Sequence, residues 1–162
     1  MRSAPANIEF HAVIAAPFAH LGVIVSAQGV QRIEFLPQEY PLQAPVHECV
    51  HQLVWALARY WMDPAQAFEL PLSYEGSPHQ LKVWQALLTI PVGQTCSYGD
   101  IARQISSSPR AVGQACGANP LPILIPCHRV VGKSSRGGFM HRQDSAALAY
   151  KDWLLQHELS GL

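Results

Sequence analysis

Residues 122–130 read Pro122-Ile123-Leu124-Ile125-Pro126-Cys127-His128-Arg129-Val130, so a thiol, an imidazole and a guanidinium stand side by side directly after an apolar run. The chemistry this set offers is nucleophilic. The thiolate is the reactive form of cysteine, and a neighbouring imidazole or cation favours it. The triplet Ile123-Leu124-Ile125 predicts a short buried strand, which Pro126 ends because it lacks an N–H and has a fixed φ. Successive strand residues point to opposite faces, so Cys127 and His128 are expected to communicate through a backbone bend or a bridging water, the water relay being more economical. Cys49, Cys96 and Cys116 read as small buried hydrophobes.

The elements that must position this segment fall into two halves. In the first, Ile8, Phe10, Val23, Val25, Ile33 and Phe35 are spaced at period two around the turn Ala27-Gln28-Gly29, which predicts a small antiparallel sheet from Ile8 to Leu36. After the proline-marked loop Pro37 to Pro45, residues Val46, Val50, Leu53, Val54, Leu57, Ala58 and Trp61 recur at helical spacing, and Asp63-Pro64 stops the helix. Asp63 to Ser77 reads as an extended connection.

In the second half, Ser77-Pro78-His79-Gln80 has the form of a capping box, and Leu81, Trp84, Leu87 and Leu88 give the helix it starts an apolar stripe that ends at Pro91-Val92-Gly93. Ser97 caps a second helix through Ile105, and Ser108-Pro109 starts a third that runs to Gly117. Joined by Ser106-Ser107-Ser108, these two have the dimensions of a helix-turn-helix, or of a helical hairpin that never meets DNA. Ala111, Gly113, Ala115 and Gly117 make the third helix small-sided, open either to a sugar-phosphate chain or to close helix packing. Arg110 stands at its N-terminus, where the dipole favours phosphate. Asn119-Pro120-Leu121-Pro122 is a stiff link from that helix to Cys127, and Asn119 suits a turn tied by side-chain hydrogen bonds.

Composition sets the frame. With 162 residues the chain can bury a core as one domain or two small ones. Lys+Arg and Asp+Glu each number 11, but residues 1–76 hold three basic and seven acidic side chains, whereas residues 77–162 hold eight basic and four acidic. Any phosphate contact is therefore expected in the second half. Four irregularly spaced cysteines form neither a disulfide framework nor a Cys-x-x-Cys pair. His47, Cys49 and His51 would face different directions on a helix, so neither metal nor cofactor is expected. With no apolar leader after Met1 and no run able to span a bilayer, a soluble cytoplasmic protein is expected, without a membrane partner.

The string from Asn119 to Gly132, preceded by Ser97-Tyr98-Gly99-Asp100-Ile101-Ala102 and Arg110-Ala111-Val112-Gly113, resembles the O6-alkylguanine-DNA alkyltransferases, also called methylated-DNA–protein-cysteine methyltransferases. The resemblance runs over about residues 78–158, more loosely over the N-terminal half. It implies an α/β ribonuclease-H-like domain over residues 1–76 and a mainly α, winged-helix-like domain with a helix-turn-helix over residues 77–162. It also implies a monomer that binds double-stranded DNA containing O6-alkylguanine, with O4-alkylthymine as a further candidate, and extrudes the damaged base.

Residue by residue, the resemblance makes Cys127 the alkyl acceptor, His128 its water-linked base and Glu158 the acid that orients His128. Glu158 also follows Leu154 and Leu155 at helical spacing, on the face that should be buried. Tyr98 becomes the donor to the departing guanine, Asn119 the hinge, and Arg110 the finger that fills the gap in the stack. Ser108, Ala111, Gly113 and Ala115 would border the minor groove, and Cys116, Val130, Phe139 and Met140 the alkyl pocket. A thiolate that displaces guanine O6 from a methyl carbon leaves a thioether with no carbonyl for water to attack, so each molecule should react once.

Between Phe139 and Asp152 the chain departs from many relatives, which follow the aromatic residue with small ones; here Met140 and His141 follow Phe139. Zinc-binding residues known in some relatives have no clear counterpart. Two rivals remain in view: a non-catalytic protein that flags alkylated DNA for other repair, which in this family carries tryptophan at the nucleophile position, and a cysteine hydrolase using Cys127 and His128.

Overall fold

A computed structural model describes residues 8–133, 137–142 and 144–161. The chain forms two compact units, one running to Met62 with Gln66–Tyr74, the other comprising Asp63–Ala65 and Glu75–Leu162.

The first unit is built on the antiparallel sheet β1 (Ala12–Ala15), β2 (His20–Ser26) and β3 (Gly29–Leu36), in that order. A bulge at Ile24/Val25 shifts the register, so Val30 and Ile33 are both buried although three residues apart. Beyond it Ile33 and Phe35 keep the expected alternation, Phe35 half-buried, while Leu36 is buried in a cluster with Phe10 and Val13. Gly29 has φ +141, and a Cβ there would collide with the Pro71 carbonyl. That close approach lets residues 71–73 run beside β3, with Val30 N–H donating to Pro71 O at 3.0 Å and Ser73 N–H to Val30 O at 2.8 Å.

Helix α1 (Glu48–Met62) buries Val50, Leu53, Ala56, Leu57 and Tyr60. The expected stripe is thus rotated. Val46 precedes the helix, and Val54 and Ala58 are exposed because packing selects the face that carries Ala56 and Tyr60.

The second unit holds α2 (Pro78–Leu87), β4 (Cys96–Ser97), α3 (Tyr98–Ile105), α4 (Pro109–Gly117), β5 (Val130–Val131) and α5 (Ser145–Ser160). Three helix starts are fixed by serine caps. Ser77 Oγ accepts from Gln80 N–H and Gln80 Oε1 from Ser77 N–H, Ser97 and Asp100 repeat the arrangement on α3, and Ser108 Oγ accepts from Ala111 N–H at 3.2 Å. Between α3 and α4, Ser106 takes a left-handed conformation that reverses the chain. β4 and β5 pair in parallel, which brings the start of α3 beside the segment that follows Cys127.

Ile123-Leu124-Ile125 is not a strand. It is a buried turn in which Ile125 N–H donates to Leu121 O at 2.8 Å and Ile123 adopts φ +74. Pro120, Pro122 and Pro126 supply no N–H for a ladder, while Asn119 occupies the groups a neighbouring strand would need: its Oδ1 accepts Leu121 N–H at 2.9 Å and its Nδ2 donates to Ile125 O at 2.8 Å. Residues Cys127–Arg129 then form one 3₁₀ turn, so thiol and imidazole do not lie on an extended strand either.

Ser108→Ala should lower stability by about 1 kcal/mol, because α4 loses the acceptor for a first-turn N–H, and Ser108→Asp should restore most of it. Urea unfolding of the three proteins at equal pH measures the difference.

Candidate active site

Cys127 opens the 3₁₀ turn and is 4 % exposed. Its thiol faces a cavity of about 540 Å³ whose wall includes Tyr98, Arg110, Gly113, Cys116, Phe139 and Met140. Burial pushes the Cys127 pKa up to about 11, opposed by a hydrogen bond from the Asn119 side chain and by the charge of Lys151. The resting nucleophile is therefore a neutral thiol, and proton removal must accompany reaction.

His128 is fully buried, with Nε2 2.8 Å from Glu158 Oε2. Arg129 grips the same carboxylate, Nε donating to Oε1 at 2.7 Å and Nη2 to Oε2 at 3.0 Å, while its Nη1 donates to Ile90 O at 2.7 Å. Burial holds the His128 pKa below its ordinary value, against the pull of Glu158. The imidazole is thus neutral, and its buried Nδ1 has no hydrogen-bond partner among the described residues. The guanidinium expected to favour the thiolate instead neutralises Glu158, because the 3₁₀ turn sends successive side chains in different directions.

The cation near the sulfur is Lys151, which the sequence reading missed. It is fully buried on α5, and its Nζ donates to Val130 O at 2.7 Å and Gly138 O at 3.0 Å, 5.9 Å from the Tyr98 ring centroid. Its charge lowers the pKa of both Cys127 and Cys116. The signal was present: Lys151 lies two helical turns before Glu158, on the same face of a helix already assigned an inward carboxylate.

Tyr98 is the first residue of α3, and burial, with the nearby Cys116 and Cys127, pushes its pKa up to about 12. The phenol stays protonated and serves as a donor. Asn119 is 2 % exposed and reaches both the buried turn and the thiol. Arg110 is exposed in the first turn of α4 at the cavity wall, with Gly113 one turn on.

Of the expected border and pocket residues Ala115, Ser108, Ala111 and Val130, Ala115 and Val130 need correction, while Ser108 stays exposed and Ala111 half-buried on α4. Ala115 is 2 % exposed and its carbonyl accepts Trp84 Nε1–H at 2.9 Å, so it belongs to the helix packing and not to an outer small-residue face. Ser108 uses its hydroxyl as the α4 cap. Ala111 is half-buried and borders an adjacent cavity with His79 and Gln114. Val130 is fully buried in β5 and absent from the cavity wall, its contribution being the carbonyl that holds Lys151.

Phe139 is 4 % exposed, and it exchanges backbone hydrogen bonds of 2.8 and 2.9 Å with Arg142. The two residues between them, Met140 and His141, have φ of 53 and 61. Met140 Sδ lies 3.9 Å from Cys127 Sγ. Among the described residues, no group of three His, Cys, Asp or Glu could hold a metal ion, and no helix is long and apolar enough to cross a membrane.

The family model described as 6-O-methylguanine DNA methyltransferase, DNA binding domain, matches residues 78–160. A probable methylated-DNA–protein-cysteine methyltransferase of Acanthamoeba polyphaga mimivirus is 48 % identical over 91 residues, 55 % of this chain and 58 % of that protein. The constitutive methylated-DNA–protein-cysteine methyltransferase of Bacillus subtilis is 44 % identical over 128 residues, 71 % of this chain and 78 % of that one. The crystal structure of Mycobacterium tuberculosis O6-methylguanine methyltransferase superposes with a TM-score of 0.79 at 34 % identity, covering 94 % of both chains, so its mixed α/β fold is shared.

With its pKa pushed up to about 11 by burial, Cys127 is overwhelmingly the neutral thiol at neutral pH. Carboxymethylation of Cys127 in the DNA-free protein, followed by peptide mass mapping, should accelerate about tenfold per pH unit through pH 10. A plateau near pH 8.5, the range of a free thiol, would contradict the burial effect.

Proposed function

Because the chain belongs to the 6-O-methylguanine DNA methyltransferase family, we propose that it reverses alkylation damage directly, moving the alkyl group from O6-alkylguanine in DNA onto its own Cys127. The observation that carries this reading is a buried thiol facing a cavity with room for a base, with a neutral imidazole at the next residue held by the Glu158 carboxylate and a protonated tyrosine on the wall.

In this reading, double-stranded DNA docks on the more basic second half through α3 and α4, a winged-helix-like arrangement, while the first unit is a ribonuclease-H-like α/β domain. Arg110 enters the stack and the damaged base swings out into the cavity, since a ring substituent inside the duplex is beyond reach of a nucleophile. Glu158 holds His128 at Nε2, which leaves Nδ1 as the acceptor for the Cys127 proton, relayed by a water. Lys151 supplies the positive charge that offsets the thiolate as it forms.

Sγ then bonds to the alkyl carbon as the carbon–O6 bond breaks. The electron pair passes to guanine, and Tyr98 donates a proton or hydrogen bond to the departing base. The thioether has no leaving group that water can displace, so one protein molecule repairs one lesion. The protein acts as a cytoplasmic monomer without a cofactor, with O4-alkylthymine as a further candidate substrate.

Reduced protein incubated with duplex containing O6-methylguanine should gain one methyl per molecule, and peptide mapping should put it on Cys127. Cys127→Ser should abolish the gain, and Tyr98→Phe should slow it by about 10²-fold or more. Arg110→Ala should slow transfer from duplex more than from single-stranded DNA. Tight binding to damaged DNA without any mass change would instead establish a lesion-flagging protein.

A further inference from the structure

The segment that departs from the family pattern touches the nucleophile. Between Phe139 and Arg142 the chain reverses in two residues, and both, Met140 and His141, are side-chain-bearing residues in the left-handed region that favours glycine. Such a turn persists only when its surroundings hold it. Phe139 is buried on one side. On the other, Arg142 is fixed to Asp144, Nε to Oδ2 at 2.6 Å and Nη2 to Oδ1 at 2.8 Å, and Asp144 caps α5 through Ala147 N–H at 3.1 Å. The His141 ring is seated on Gly117, where a Cβ would collide with it.

The turn delivers one side chain to the reaction centre. At 3.9 Å, Met140 Sδ is in van der Waals contact with Cys127 Sγ, so the space beside the sulfur on that side is filled. A methyl group transferred in line needs only the volume directly ahead of Sγ. The second carbon of a longer alkyl group branches sideways, one bond from the carbon being attacked, into the shell where the thioether stands.

We propose that Met140, presented by this left-handed turn, is the residue that sets adduct size and restricts the protein to O6-methylguanine and similarly small O6-alkyl groups. The inference rests on Cys127 being the acceptor and adds a selectivity that the family assignment does not contain. Methionine is flexible, but its backbone is clamped at 139, 142 and 144, so the side chain can yield only by changing rotamer.

The test is a ratio measured within each protein. Single-turnover rate constants are taken for one duplex carrying O6-methylguanine and the same duplex carrying O6-butylguanine, each referred to the fraction of protein able to accept a methyl. For the unaltered chain the butyl rate should fall far below the methyl rate. Met140→Ala should raise the butyl-to-methyl ratio by about tenfold to a hundredfold, and Met140→Leu, which keeps the volume, should leave it within about threefold. Near-equal rates in the unaltered chain, or a ratio that Met140→Ala does not move, would overturn the size restriction while leaving Cys127 as acceptor. If the unaltered chain accepts neither group, the assignment of Cys127 fails and this inference fails with it.

Discussion

The Glu158 carboxylate is the point on which the second unit turns. A carboxylate that is 1 % exposed persists in ionised form only if its lone pairs are occupied by charged or strongly polar donors, and here His128 and the bidentate Arg129 fill them. Removing one member of a buried set like this strands the others and costs about 3–5 kcal/mol. The same contacts choose the tautomer and orientation of His128, so what keeps α5 against the 3₁₀ turn also decides which imidazole nitrogen is available to the chemistry. Stability and reactivity cannot be separated at this residue.

A second consequence follows from how deeply the nucleophile is placed. Burial that raises the thiol pKa keeps the thiolate, the form open to oxidation and alkylation, scarce. The cost is that activation must come from fixed groups nearby. Lys151 answers this with a full charge held by two backbone carbonyls, one on β5 and one on the segment before the Phe139–Arg142 turn. The lysine therefore also ties the cavity wall to the sheet pair that follows the nucleophile.

How far local sequence carries can be seen by comparing helices with the segment around Cys127. The caps at Ser77, Ser97 and Ser108 and the break at Ser106 act over three or four residues, so the starts of α2, α3 and α4 and the end of α3 were readable from the chain, whereas α2 stops at Leu87, ahead of the break expected at Pro91. The apolar run before Cys127 was readable as buried but not as a turn, because whether Ile123 lies in a strand depends on whether a neighbouring strand competes with Asn119 for its backbone partners. In α1 the stripe was identified but its rotation was not, since Val54, Ala58 and Trp61 are as apolar as the residues that were chosen for burial.

The catalytic set shows the same division. By itself the sequence determined which reactive groups exist, that Cys127 and His128 are neighbours and that Glu158 lies on an inward helix face, because adjacency and helical phase act within a few residues. The pairing of Glu158 with His128, 30 residues apart, was implied only by the family resemblance. Only the tertiary structure decided that Arg129 serves the carboxylate, that Lys151 rather than Arg129 is the cation facing the sulfur, that Ala115 and Val130 turn inward, and that Met140 meets the thiol. Those outcomes depend on distances between elements far apart in the chain, and electrostatics and packing act through such distances without leaving a local pattern to read.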